Sequence, residues 1–140
     1  MNPRKKTPVR AKRTLQYPEG LLNPKDWLRF IQLRPFEEAW KAWELTDADL
    51  QALEMLVLCD PERYPVIPGL EGVRKCRFTS NKWTHGKSKG ARIYYLYFPD
   101  RGIVFWMFAH MRSEDDPISA HGKQRIAALV KQMKSRLGAD

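Results

Sequence analysis

Apolar residues along this chain fall into short blocks punctuated by proline and glycine, and the period inside each block differs. Residues 27–33 hold Trp27, Leu28, Phe30, Ile31 and Leu33 in a compact run that Pro35 stops, which predicts a first strand. Phe36, Ala39, Trp40 and Trp43 then recur at helical spacing with acids between them, predicting a short amphipathic helix. The tetrad Thr46-Asp47-Ala48-Asp49 reads as a capping box: the threonine accepts the third amide, and Asp49 sits near the positive end of the helix. Leu50, Leu53, Leu56 and Val57 continue this second helix on one face until Pro61 ends it. Two antiparallel helices are the economical arrangement.

The second half changes period. Residues 65–72, with Pro68, Gly69 and Gly72, read as a turn-rich link; residues 73–78 read as a strand, and residues 81–90 as an exposed loop carrying Gly86 and Gly90. Residues 91–98 and 103–110 flank the turn Pro99-Asp100-Arg101-Gly102 and predict a hairpin. Their near-continuous apolar character implies burial on both faces, in the middle of a sheet. Ser119 is placed to cap a last helix with an inner stripe of Ile126, Leu129, Val130, Met133 and Leu137. The order β-α-α-β-β-β-α predicts an α+β fold: a small, mostly antiparallel sheet of about four strands, with two N-terminal helices and one C-terminal helix. Residues 25–140 form the expected domain. Residues 1–24 contain four prolines and no sustained period, and read as a basic, flexible arm.

Composition narrows the function classes. With 140 residues, 43% of them hydrophobic, one domain with its own core is expected. No apolar run approaches the ~18 residues of a membrane span, and the basic N-terminus lacks a signal peptide's apolar stretch. Two cysteines, Cys59 and Cys76, do not make a disulfide scaffold, so a cytoplasmic protein without a membrane partner is expected. Charge says more: 25 Lys+Arg against 16 Asp+Glu give +9, which points to a polyanionic partner. The charge is also segregated. Residues 1–13 are basic, residues 36–62 acidic, and residues 73–92 carry seven cations with no acid among them.

In an extended 73–78 segment Lys75 and Arg77 share one face, ~7 Å apart, while Cys76 and Phe78 take the other. Arg74 adjoins them, the loop adds Lys82, His85, Lys87 and Lys89, and Arg92 opens the next strand. Trp83 could stack on a base, so Arg74, Lys82, Trp83 and His85 are candidate RNA contacts. The competing reading is a solvated basic loop. The cysteines and histidines lack CxxC or HxxxH spacing, and there is no P-loop or GxGxxG, so neither metal nor cofactor is expected. Glu114-Asp115-Asp116 is a lone acidic turn. One RNA reaction suits such a surface. A ribose 2′-hydroxyl attacks the adjacent phosphate and expels the 5′-oxygen, which needs a base, an acid and positive charge around the phosphorane. Clustered lysines lower one another's pKa, and histidine titrates near neutrality.

The stretch Pro68-Gly69-Leu70-Glu71-Gly72-Val73-Arg74-Lys75-Cys76-Arg77 resembles the "PGtgGlRKlR" segment of RelE/HigB-type toxins from bacterial type II toxin–antitoxin systems. Gly86-Lys87-Ser88-Lys89-Gly90-Ala91-Arg92-Ile93-Tyr94-Tyr95 is similar to their "GKrGGaRviYy" segment, and the resemblance spans roughly residues 28–134. It implies a RelE-like fold and a ribosome-associated endoribonuclease that cuts mRNA, silenced by a cognate antitoxin of the helix-turn-helix kind. Carried over by position, Lys75, Arg77 and Arg92 would hold phosphates, and Lys87 and Lys89 match the cations of the glycine-rich loop. The family's terminal "YxK" corresponds to His110-Met111-Arg112. A histidine there can exchange protons at neutral pH, whereas Arg112 stays charged and suits a clamp. Proton transfer is thus expected from Lys87, Lys89 or His110. Two rivals share the fold: a gyrase inhibitor of the ParE branch, and an RNA-binding module without catalysis.

Overall fold

A computed structural model of the chain describes residues 27–83, 90–111 and 118–138. The basic arm, His85, Lys87 and Lys89 of the loop, Arg112, and the acidic turn 114–116 lie outside the described residues. The fold is α+β, with three helices and a four-stranded mixed sheet. In chain order these are β1 (Arg29–Gln32), α1 (Arg34–Ala42), α2 (Asp47–Cys59), β2 (Arg74–Phe78), β3 (Ala91–Phe98), β4 (Ile103–Met111) and α3 (Ala120–Leu137). The strands lie in the order β1-β4-β3-β2, so the apolar hairpin β3–β4 is central, as its composition requires. Both hairpin pairings are antiparallel, whereas β1 runs parallel to β4. Among the described residues no helix is long and apolar enough to cross a membrane.

Local chemistry accounts for the element ends. Pro35 lies in the first turn of α1, where a missing N–H costs nothing. This helix closes at Ala42, leaving Trp43 as its C-cap. At α2 the Asp49 carboxylate accepts from the Thr46 backbone N–H (2.9 Å) and hydroxyl (3.1 Å). Ser119 caps α3 by accepting the Gly122 N–H at 3.0 Å, and Gly138 ends it in the left-handed conformation. Gly90, at φ 75°, turns the chain into β3 so close to β2 that a Cβ would sit 2.7 Å from the Phe78 carbonyl.

The sheet separates two apolar clusters. One side carries Phe30, Phe36, Trp40, Phe78, Tyr95 and Trp106 with Leu50, Leu53 and Val57 of α2. Phe30 and Phe36 stack on Trp106 at centroid distances of 5.4 and 5.6 Å, and Trp40 continues the stack from Phe36 at 5.1 Å. The other side packs Tyr94, Leu96, Phe98, Ile103 and Met107 against Val130 of α3. Two expected core positions fail. Leu56 is 40% and Leu129 42% exposed, because at about 100° per residue each points well away from the centre of its helix's buried stripe. Alternation along β4 also breaks once: Tyr94 faces Phe108 and Tyr95 faces Trp106, so Met107 is an extra residue bulged out of register.

Candidate functional site

Antiparallel partners directly opposite one another project to the same face of a sheet, so register decides which candidates meet. Arg77 lies opposite Arg92, and Arg92 lies opposite His110, giving a row across β2, β3 and β4. The adjacent row is Lys75, Tyr94 and Phe108. Three strands span ~10 Å and alternate residues ~7 Å, so both rows fit within one phosphodiester's surroundings. Tyr94 belongs to the α3-side cluster, which places Lys75, Arg77, Arg92 and His110 on that side of the sheet. Arg77 is exposed, Lys75 and His110 are half-buried, and Arg92 is buried. Like charges directly opposite one another on adjacent strands repel.

The histidine is held at both ring nitrogens. Its Nδ1 lies 3.0 Å from the Met111 carbonyl oxygen, and its Nε2 lies 2.8 Å from the Tyr94 hydroxyl. A carbonyl only accepts, so Nδ1 carries the hydrogen, and in the neutral tautomer with that hydrogen the Nε2 lone pair faces the Tyr94 hydroxyl. Tyr94 is itself fixed by stacking on Phe108 at a centroid distance of 4.3 Å and 12° between planes. Sequence reasoning missed Tyr94 and Phe108 as site neighbours. The signal was the i, i+2 spacing of Arg92 and Tyr94, which a strand converts into adjacency.

The remaining described candidates sit elsewhere. Arg74 alternates to the opposite face, where its guanidinium donates to the carbonyls of Glu62 (3.0 Å) and Tyr64 (2.7 Å) and braces the link into β2. Lys82 pairs with Asp49 at 3.4 Å. Trp83 packs edge-on against Trp43 (6.0 Å) and Phe78 (6.2 Å) as part of the helix-side cluster. The structure therefore brings together Lys75, Arg77, Arg92 and His110, and keeps Arg74, Lys82 and Trp83 away from them.

Asp49 anchors this second group. Its carboxylate accepts the Ser80 hydroxyl at 2.7 Å, and Ser80 accepts the Lys82 N–H at 3.2 Å. Burial pushes the Asp49 carboxyl up, but the hydrogen bonds from the Thr46 backbone, Ser80, the Thr46 hydroxyl and Lys82 outweigh it and hold the group below its ordinary range. Cys76 is not a nucleophile at neutral pH, since burial pushes its thiol up to about 12. Among the described residues no three His, Cys, Asp or Glu side chains gather into a metal cluster. No family model matches the chain, and no curated protein matches it significantly.

Proposed function

We propose that this chain is a RelE/HigB-like toxin, a cytoplasmic endoribonuclease that cuts mRNA on the ribosome and is restrained by a cognate antitoxin. The observation that carries the reading is the row Arg77–Arg92–His110 beside Lys75 on the α3 side of the sheet, with Arg77 exposed and Arg92 buried. Lys75, Arg77 and Arg92 hold the scissile and flanking phosphates, where they also offset the charge that builds up on the phosphorane. His110 takes the proton of the attacking 2′-hydroxyl on Nε2, with the ribose hydroxyl replacing that of Tyr94. The O2′–P bond forms as the P–O5′ bond breaks, and the 5′-oxygen receives a proton from Lys87 or Lys89. Arg112 clamps the departing linkage. These last three assignments rest on the sequence resemblance alone.

The products are a 2′,3′-cyclic phosphate and a 5′-hydroxyl. An RNA with a single 2′-deoxy sugar at the cleaved position tests the proposal: cutting should stop at that linkage alone. Continued cutting there overturns it. One observation favours a second reading, an RNA-binding module without catalysis: both ring nitrogens of His110 are already engaged. That reading predicts salt-dependent binding with no cyclic-phosphate product.

A further inference from the structure

The helix α3 carries Lys123, Arg125, Lys131, Lys134 and Arg136 and no carboxylate. Helices α1 and α2 together carry two cations, Arg34 and Lys41, against Glu37, Glu38, Asp47, Asp49 and Glu54. Because the two helical layers cover opposite sides of the sheet, the molecule is electrically two-faced. Part of the charge on α3 has a structural use: the Lys134 ammonium donates to the Glu71 carbonyl at 2.8 Å. Arg125, Lys131 and Arg136 make no such contact among the described residues. They are exposed, and among the described residues no carboxylate pairs with them. The helix dipole favours Lys134 and Arg136 in the last turn but accounts for neither Arg125 nor Lys131. The first turn of α3 holds no acid, and Lys123 closes that turn against the positive end of the dipole.

Arg125 and Arg136 are eleven residues apart, which at 3.6 residues per turn aligns them within about 20° and separates them by about 16 Å. Gln132 falls near the same line, and Lys131 lies about 120° round the helix, on the opposite flank of the exposed face. This surface is on the same side of the sheet as Lys75, Arg77, Arg92 and His110. We infer that the outer face of α3 is a second contact for the RNA backbone, so that an RNA held over the strand row continues along α3 between Arg125 and Arg136 on one flank and Lys131 on the other. The inference rests on the RNA reading of the strand row but not on cleavage. A polyphosphate backbone fits better than an acidic protein segment. Leu129 is the one large apolar side chain exposed on α3, whereas protein interfaces are built around a contiguous apolar or aromatic centre.

The test compares the full chain with its R125Q/K131Q/R136Q variant, all three changes being at exposed positions. Two RNAs, a trinucleotide and a 20-mer, both 2′-deoxy at the cleaved sugar, are titrated by fluorescence anisotropy at several salt concentrations. The expected result is unchanged affinity for the trinucleotide and weaker binding of the 20-mer. The slope of log K against log salt should become shallower by about 2, three lost contacts at ~0.7 each. An unaltered slope for the 20-mer overturns the inference, as does an equal loss for both RNAs, which would place these cations at the strand row. A poly-glutamate peptide that loses binding in the variant while the 20-mer does not also overturns it, in favour of an acidic protein partner. If neither protein cleaves unmodified RNA but the slopes differ as expected, the nuclease reading falls and the α3 contact stands.

Discussion

The two sides of the sheet use aromatic residues and charge in opposite ways. On the α1/α2 side, Phe30, Trp106, Phe36 and Trp40 form a continuous stack, and Lys82 and Asp49 meet as a pair beside it. On the α3 side, Tyr94 and Phe108 stack beneath a concentration of cations instead. Rings on the first side exclude water from a core, whereas Tyr94 on the second both packs into the α3-side core and, through its hydroxyl, fixes where His110 sits. Side chains of the same kinds close a core on both faces, and on the α3 side they also flank the row proposed to bind RNA. Lesions on the two faces should therefore separate in what they damage.

The largest expected effect tests the cationic side: His110→Ala should lower RNA cleavage roughly 10²–10⁴-fold, as loss of a general base does, while the urea midpoint stays put. A loss of folded protein large enough to account for the lost cleavage would show that His110 serves the fold rather than the reaction. Trp106→Ala attacks the other side and should cost about 3–5 kcal/mol of stability, since a fully buried large ring leaves a cavity. Urea unfolding measures it, with RNA binding by the remaining folded fraction unchanged. Asp49→Asn comes next, at about 1–3 kcal/mol from weakened buried hydrogen bonds. Because the folded state depresses the Asp49 pKa, the carboxylate's contribution is complete above its unfolded value, near 4. It is lost as pH falls through the lower folded value, so acid should erode the parent's stability margin over the variant. Smallest is Tyr94→Phe. It removes the hydroxyl from Nε2 but leaves Nδ1–H on the Met111 carbonyl, so the ring tautomer read by ¹⁵N NMR should persist, with cleavage within about threefold of the parent.

Much of this architecture was legible in the sequence because it depends on local rules. The capping box at Thr46, the hairpin around Pro99–Gly102 and the outward pair Lys75/Arg77 follow from spacing over a few residues. What escaped depends on tertiary partners. Nothing near Asp49 announces Ser80 as its partner 31 residues away, nor Tyr94 as the group that meets His110. Trp83 offered a ring suited to base stacking, but Trp43 and Phe78 gave that ring a place against the core. The apolar periods at Leu56 and Leu129 were real, yet each stripe was narrower than its leucines suggested.

The extra residue at Met107 has a consequence for how β4 tolerates change. Trp106 and His110 are four positions apart, an even count that an unbroken strand would turn to one side; the bulge sends the first to the helices α1 and α2 and the second to the cations. Deleting Met107 would leave them three positions apart, an odd count, so strict alternation alone would keep Phe108 and His110 on the α3 side and Ala109 on the other. Point substitutions here adjust one surface at a time, and the bulged residue is the one letter this strand could lose without its two surfaces trading places.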